Sequence, residues 1–247
     1  MKYYPFSLLI ITGFFVSLAT NAQEFLSGTK AATIVELYTS EGCSSCPRAD
    51  QFISKFADQD DPFLNFIPLA YHVDYWNYIG WEDRFSRPEY SQRQRTQERE
   101  GNISQVYTPG FVVNNKEWRS WFRGDTNIPQ NKGDAGVLSA TLIKGLLDVN
   151  YTGHPETEGP YVLNVAYLGM GLSTQIKAGE NKNKTLHHDY VVLENFSQIS
   201  QSKNWTVKLN TPPEKQQERT ALAIWVSTPN SIKVLQADAA LLQEDAF

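Results

Sequence analysis

Cys43 and Cys46 are the two cysteines of this chain, and two serines separate them. Thiols at positions i and i+3 across the start of a helix face the same side and lie close enough to form a disulfide. The unpaired N–H groups and the dipole of such a helix end favour a thiolate at the first cysteine. We therefore predict that Cys43 is the nucleophile of a thiol–disulfide exchange and that Cys46 resolves the mixed disulfide.

Two other interpretations of the pair remain open. It can be an inert disulfide clip, although one short loop cannot staple a chain of 247 residues. It can also hold a soft metal ion such as Cu(I), with His72 as a third ligand beside the two cysteines. In the leading interpretation the redox-active disulfide needs no further cofactor.

Three predicted elements position the dithiol. Residues 32–38 have the pattern of a strand, Pro47 begins an amphipathic helix, and residues 66–73 form a second strand. Two strands separated by a helix imply a parallel β-α-β unit. The cysteines then lie at the junction between the first strand and the helix.

Thr108 and Pro109 stand directly before a hydrophobic strand that includes residues 111–113. In thioredoxin-like folds a cis-proline at this place lies against the dithiol, and its neighbour's backbone pairs with a substrate segment. Only about 5 to 6% of X-Pro bonds in folded proteins are cis. On this resemblance we predict a cis bond between Thr108 and Pro109 and a role for both in docking the substrate.

His72, Asp74 and Trp76 lie at the end of the second predicted strand. In a parallel sheet this end is at the same edge as the dithiol, so we predict that all three face the substrate. His72 is suited to shuttle a proton or bind a metal ion, with Asp74 orienting the ring. Alternatively, His72 and Asp74 form a hydrogen-bonded pair that holds the aromatic loop after the strand.

Glu36 lies in an otherwise apolar strand, close to where thioredoxins carry a buried carboxylate that moves protons to the resolving thiol. We predict this catalytic role for Glu36; the alternative is pairing with Arg or Lys at the sheet edge. A polar helix is predicted from Pro88 to Glu100. It contains Arg93 and Gln94, and the family resemblance described next implies that these two face the substrate.

Several stretches together resemble a bacterial family of secreted, thioredoxin-like proteins of unknown function. They are VELYTSEGCSSCP at residues 35–47, YHVDYW at 71–76, GW at 80–81, RQ at 93–94, VYTP at 106–109, VV at 112–113, GEN at 179–181 and LHHDYVV at 186–192. Arg48 and Gly110 depart from the family's pattern without removing a group that thiol chemistry needs. The resemblance implies the fold and leaves the reaction open.

The second half of the chain has a different texture. Residues 150–160 have the composition of a linker, and residues 161–247 contain short strands between polar turns. His187 and His188 are adjacent in one such strand and point to opposite faces, so we predict a structural role for them. We predict an α/β thioredoxin-like N-terminal domain, residues 23–149, followed by an all-β, immunoglobulin-like sandwich. Leu138, Leu142 and Leu146 mark a last helix of the first domain.

The N-terminus predicts export. Lys2 precedes an apolar run at residues 6–18 that is shorter than the roughly 20 residues needed to span a bilayer. We predict a signal peptide, residues 1–22, cleaved after Ala22, rather than a retained anchor. The exported chain is predicted to be secreted or periplasmic, without a membrane span. A formal net charge of −5 with no basic block excludes nucleic acid and favours a protein or a small thiol as the substrate.

Overall fold

The computed structural model of the protein describes residues 22–153 and 159–247. The predicted signal peptide therefore lies outside the described residues, apart from Ala22. Within these residues the chain forms fourteen strands and two α-helices. They are β1 Gln23–Leu26, β2 Ile34–Thr39, α1 Pro47–Ser54, β3 Ile67–His72, α2 Pro88–Arg99, β4 Gly110–Val113, β5 Lys116–Glu117, β6 Leu138–Ile143, β7 Leu146–Tyr151, β8 Tyr161–Met170, β9 Leu172–Gln175, β10 Thr185–His188, β11 Val191–Ser200, β12 Asn204–Lys208, β13 Arg219–Ser227 and β14 Val234–Leu241.

Eight strands form one continuous mixed sheet in the order β14-β13-β8-β11-β3-β2-β4-β5. β3 and β2 are parallel, whereas β11 pairs with β3 in parallel and with β8 in antiparallel orientation. The sheet therefore takes strands from both sides of the predicted linker. The predicted linker boundaries remain a prediction, because residues 154–158 lie outside the described part of the chain.

The predicted fold class is wrong. The structure is mostly β, and its strands form large mixed sheets rather than an α/β thioredoxin-like N-terminal domain with a separate immunoglobulin-like sandwich. A strand pattern predicts that a segment is extended and half-buried, but it does not say which strand it pairs with. Here β11 joins β3 of the first half, so the later strands extend the first sheet instead of closing on themselves.

A second sheet of four strands, in the order β1-β6-β7-β12, packs against the large sheet. β6 and β7 replace the helix predicted from Leu138, Leu142 and Leu146. A spacing of four residues places side chains on one face of a helix. It also places them on one face of a strand, where every second residue points to the same side. The residues between the strands decide the outcome, because Lys144 and Gly145 both have positive φ, at 48° and 73°, and close a hairpin.

Local elements around the cysteines match the predictions individually. β2, α1 and β3 form a parallel β-α-β unit. α2 ends one residue before the predicted end and is followed by Gly101 with a positive φ of 75°. The Thr108-Pro109 bond is cis, as predicted, and β4 follows it immediately.

The two helices cover opposite faces of the large sheet. Phe52 of α1 contacts the ring of Phe111, which lies opposite Leu37 in the β2–β4 pairing. Arg93 of α2 instead contacts Glu36. Adjacent strand residues point to opposite faces, so Glu36 and Leu37 mark the two sides.

A buried ion pair fastens α2 to the sheet. Arg93 Nη2 lies 2.5 Å from Glu36 Oε1, and Arg93 Nε donates to Glu36 Oε2 at 3.2 Å. Gln97 Nε2 and the Tyr38 hydroxyl also donate to Oε2, at 2.9 and 2.5 Å. The pairing of Glu36 with an arginine, given above as the alternative to a catalytic role, is what the geometry shows.

We predict that Arg93→Met destabilises the protein by about 3 to 5 kcal/mol, because it leaves the Glu36 carboxylate buried without its cation. The double variant Glu36→Gln, Arg93→Met is expected to recover part of this loss, since it removes the buried charge. Urea unfolding monitored by circular dichroism measures both free energies. Arg95→Met, on the exposed side of α2, is the matched control; an equal effect of Arg93→Met and Arg95→Met would contradict the prediction.

Candidate functional site

Cys43 and Cys46 form a disulfide with Cα atoms 5.4 Å apart, directly before α1. Pro47 occupies the first helical turn, where its missing N–H is not needed, and the Cys46 carbonyl accepts from the N–H groups of Ala49 and Asp50. The cysteines are 1% and 0% exposed, whereas the two serines between them are exposed. The loop therefore presents its serines to solvent and holds both sulfurs just below the surface.

The residues 179–181 hold the disulfide loop from the side. Asn181 Nδ2 donates to the backbone carbonyls of Glu41 and Cys43, both at 2.9 Å. The exposed Glu180 accepts from the Ser44 N–H at 2.9 Å, and the Ser44 hydroxyl together with this N–H lowers the pKa of Glu180. The segment belongs to the GEN motif of the sequence, but its motif alone did not identify it as part of the site.

Trp76 and Gln94 converge on the segment that contains the cis bond. Trp76 Nε1 donates to Thr108 Oγ1 at 2.7 Å, and Gln94 Nε2 donates to the Tyr107 carbonyl at 2.6 Å. Gln94 is buried and also accepts from the Tyr75 hydroxyl. Both side chains thus support the backbone before Pro109, and Gln94 does so from inside the protein.

Asp74 does not orient His72, contrary to the prediction. The Asp74 carboxylate accepts from the Ser91 hydroxyl, and the Asp74 N–H donates to the Ser91 hydroxyl oxygen at 3.1 Å. His72 Nδ1 instead lies 2.7 Å from Asp83 Oδ2. Asp83 lies in a loop eleven residues after His72. No helix or strand periodicity relates the two positions, so no feature of the sequence indicated this pair.

A buried polar cluster lies at the end of β3 and the start of α1. The His72 and His188 rings are 5.0 Å apart, and His188 Nε2 lies 3.4 Å from Glu41 Oε1. His188 Nδ1 lies 4.0 Å from Asp50 Oδ1, and Thr39 Oγ1 donates to Asp50 Oδ2 at 3.0 Å. His188 is buried while its neighbour His187 is exposed, as expected for adjacent residues of a strand.

Burial and charge act in opposite directions on this cluster. Burial raises the pKa of Asp83, but His72 and the backbone N–H groups of Glu41 and Phe85 outweigh it, so the pKa lies below its usual value. Burial lowers the pKa of His72, but Asp83, Asp50 and Glu41 together raise it to about 9. The pKa of Asp50 is raised, mainly by burial. His72 and Asp83 thus form a charged pair next to a carboxyl group that gives up its proton less readily.

Sequence reasoning missed three members of this cluster, Glu41, Asp50 and Asp83, and predicted only a structural role for His188. Glu41 and Asp50 flank the cysteines and carried a weak signal, because each is a charged residue in a stretch that the fold buries. Asp83 and His188 come from a loop and from a distant strand. Tertiary contact alone brings them together.

Comparisons with solved structures support the fold. Protein AGR_C_4864 from Agrobacterium tumefaciens is 24% identical, covers 87% of this chain and 96% of its own, and superposes with a TM-score of 0.59. HBP35 of Porphyromonas gingivalis is 14% identical, with coverage of 88% and 77% and a TM-score of 0.55. At these identities the likeness concerns the fold alone. No curated protein matches the chain.

Residues 34–227 match a protein family described as "Protein of unknown function (DUF1223)". The matched region begins with β2 and ends with β13, so it contains the disulfide, the cis bond and the buried cluster. The chain belongs to the DUF1223 family.

Proposed function

We propose that the protein is an exported thiol–disulfide oxidoreductase of the bacterial cell envelope, acting on a protein or a small thiol. The observation that carries the proposal is the Cys43–Cys46 disulfide across the N-terminus of α1. The dipole of that helix end stabilises a thiolate when the disulfide is reduced. A loop that served only as a clip would need no such position.

The exchange is a two-step transfer. In the reductive direction the Cys43 thiolate attacks one sulfur of a substrate disulfide, forms a mixed disulfide and releases the other substrate sulfur as a thiolate. The Cys46 thiolate then attacks the Cys43 sulfur, forms the Cys43–Cys46 disulfide and releases the second substrate thiolate. The substrate gains two electrons and, from solvent, two protons. Oxidation of a substrate dithiol is the same sequence in reverse.

The surroundings of the disulfide suit a docking partner. The backbone at Thr108 and Pro109, supported by Trp76 and Gln94, is proposed to shape the surface on which the substrate rests. The two serines of the loop are exposed while the cysteines are buried, so a partner is proposed to meet the loop at its serines and to reach Cys43 when the loop opens locally. His72, which is buried against Asp83, and Asp74, which accepts from Ser91, are given no part in this surface.

We predict that Cys43→Ser abolishes reduction of insulin or of a disulfide-linked model peptide, because the attacking sulfur is gone. Cys46→Ser is expected to accumulate a mixed disulfide with the substrate, since nothing resolves it. Turnover assays and intact-mass spectrometry measure the two effects, with Ser44→Ala as the matched control that keeps both thiols.

The proposal is wrong if both cysteine variants react as fast as the parent. The reduction potential of the pair separates it from a clip. A value between roughly −120 and −270 mV is the range of exchange-active dithiols, whereas a value below about −300 mV is that of a structural disulfide.

Access to Cys43 is expected to depend on Asn181. Asn181→Ala removes two hydrogen bonds to the loop, worth about 1 kcal/mol each, so local opening becomes roughly thirty-fold more frequent. We predict that dithiothreitol then reduces the disulfide on the order of ten- to thirty-fold faster, as measured by alkylation of quenched samples and mass spectrometry. Lys182→Ala, an exposed neighbour, is the control, and equal rates in both variants would refute the role of Asn181.

Export is proposed from the N-terminal sequence. Within the described residues, neither α-helix is long and apolar enough to cross a bilayer. We predict that the protein recovered from the cell envelope of an expressing bacterium begins at Gln23, as N-terminal peptide mass spectrometry would show. A protein that keeps Met1 and stays with the cytoplasmic fraction would contradict export.

A further inference from the structure

Three buried side chains face one another beneath the disulfide loop. Asp50, His72 and His188 each offer one ligand atom, and these atoms lie within 4.8 Å of one another. The residues are 3%, 0% and 1% exposed. They come from α1, from the end of β3 and from the end of β10, so three separate parts of the fold build the cluster.

Each imidazole has a carboxylate near one nitrogen, hydrogen-bonded in His72 and only close by in His188. His72 Nδ1 lies 2.7 Å from Asp83, and His72 Nε2 has no hydrogen-bond partner among the described residues. His188 Nε2 lies 3.4 Å from Glu41, and His188 Nδ1, also without a partner, faces Asp50 Oδ1. A carboxylate behind each metal-ligating histidine is the arrangement that fixes ring orientation and tautomer in metal sites.

The same arrangement is costly without an ion. A buried polar atom without a partner costs about 1 to 3 kcal/mol, and such atoms are normally satisfied in folded proteins. The cluster leaves His72 Nε2, both His188 nitrogens and Glu41 Oε1 in this state. It also gathers the carboxyl groups of Glu41, Asp50 and Asp83 around two imidazoles.

We propose that Asp50 Oδ1, His72 Nε2 and His188 Nδ1 bind a divalent transition-metal ion, with zinc as the best fit. Two imidazoles and one carboxylate are a common ligand set for Zn²⁺, with a fourth position open to water or to another ligand. Bonds of about 2.0 to 2.2 Å place ligand atoms roughly 3.4 Å apart, so the ligands move together slightly on binding. Asp83 holds the His72 ring in place, and Glu41 lies 3.4 Å from the second nitrogen of His188.

A small cavity provides a route for the ion. It has a volume of about 50 Å³ and is lined by Asp50 and His188 together with Pro47, Gln51, Leu186 and the exposed His187. The proposed path of the ion therefore runs beside the first turn of α1 and not through the disulfide. The site uses neither cysteine, so it does not depend on the proposed redox function.

The test is a titration of the whole purified protein, stripped with chelator, with Zn²⁺ by calorimetry and with Co²⁺ by visible absorption. We expect one equivalent to bind, with the d–d spectrum of a four-coordinate Co²⁺ site. His188→Gln and Asp50→Asn are expected to lower the affinity at least ten-fold, whereas His187→Gln, the exposed neighbour, leaves it unchanged. The double variant Cys43→Ser, Cys46→Ser is also expected to bind one equivalent.

Binding below a tenth of an equivalent by the parent protein would overturn the proposal. So would equal affinities of the His188→Gln and His187→Gln variants, or loss of binding in the cysteine double variant, which would assign the ion to the thiols. If a ligand variant fails to fold, Asp83→Asn replaces it; this change keeps all three ligands and is expected to weaken binding by about 10- to 100-fold. Unchanged affinity in Asp83→Asn would count against the site.

Discussion

The pairing of β3 with β11 is the contact on which the rest of the structure depends. The Ala70 N–H donates to the Tyr190 carbonyl at 2.9 Å, and Val191 lies opposite Ala70. This joint makes one sheet from the strands of both halves. Because Tyr190 has a positive φ of 58°, the chain turns just before β11 and leaves His188 beside His72. Sheet continuity and the buried cluster therefore have the same origin.

Local chemistry made part of the fold predictable. Pro47 and Gly101 mark the start of α1 and the end of α2, and each acts within a few residues of itself. The cis bond at Pro109 was expected from the resemblance to thioredoxin-like folds, in which a cis-proline precedes a strand. Partner choice between strands is not local, which is why the two-domain fold class failed. The helix predicted from Leu138, Leu142 and Leu146 was wrong for a related reason. Their spacing fits the period of a helix and that of a strand, and the turn at Gly145 makes the segment a pair of strands.

The site was predictable where its chemistry is carried by residue type and close spacing. The Cys43–Cys46 disulfide could be predicted, because two cysteines three positions apart need only a local turn to bring their sulfurs together. The partner of His72 was placed wrongly because Asp74 is near in sequence, whereas Asp83 is near in space. Glu36 was expected to transfer protons to the resolving thiol. In the structure it forms an ion pair with Arg93 that attaches α2 to the sheet. A buried carboxylate is visible in a sequence; its partner is not.

The long-range joint also affects how the protein comes into being. A chain that emerges from the ribosome N-terminus first releases residue 70 well before residue 191, its partner across the sheet. During that interval the inner edge of β3 is open, and an open apolar edge is a template for pairing with other chains. A chain truncated before β11 would keep this strand edge unpaired. It would therefore be prone to aggregate and would not form a smaller folded protein. Nascent chains of this protein are therefore expected to aggregate with one another unless they stay separated until β11 has been synthesised and has paired with β3.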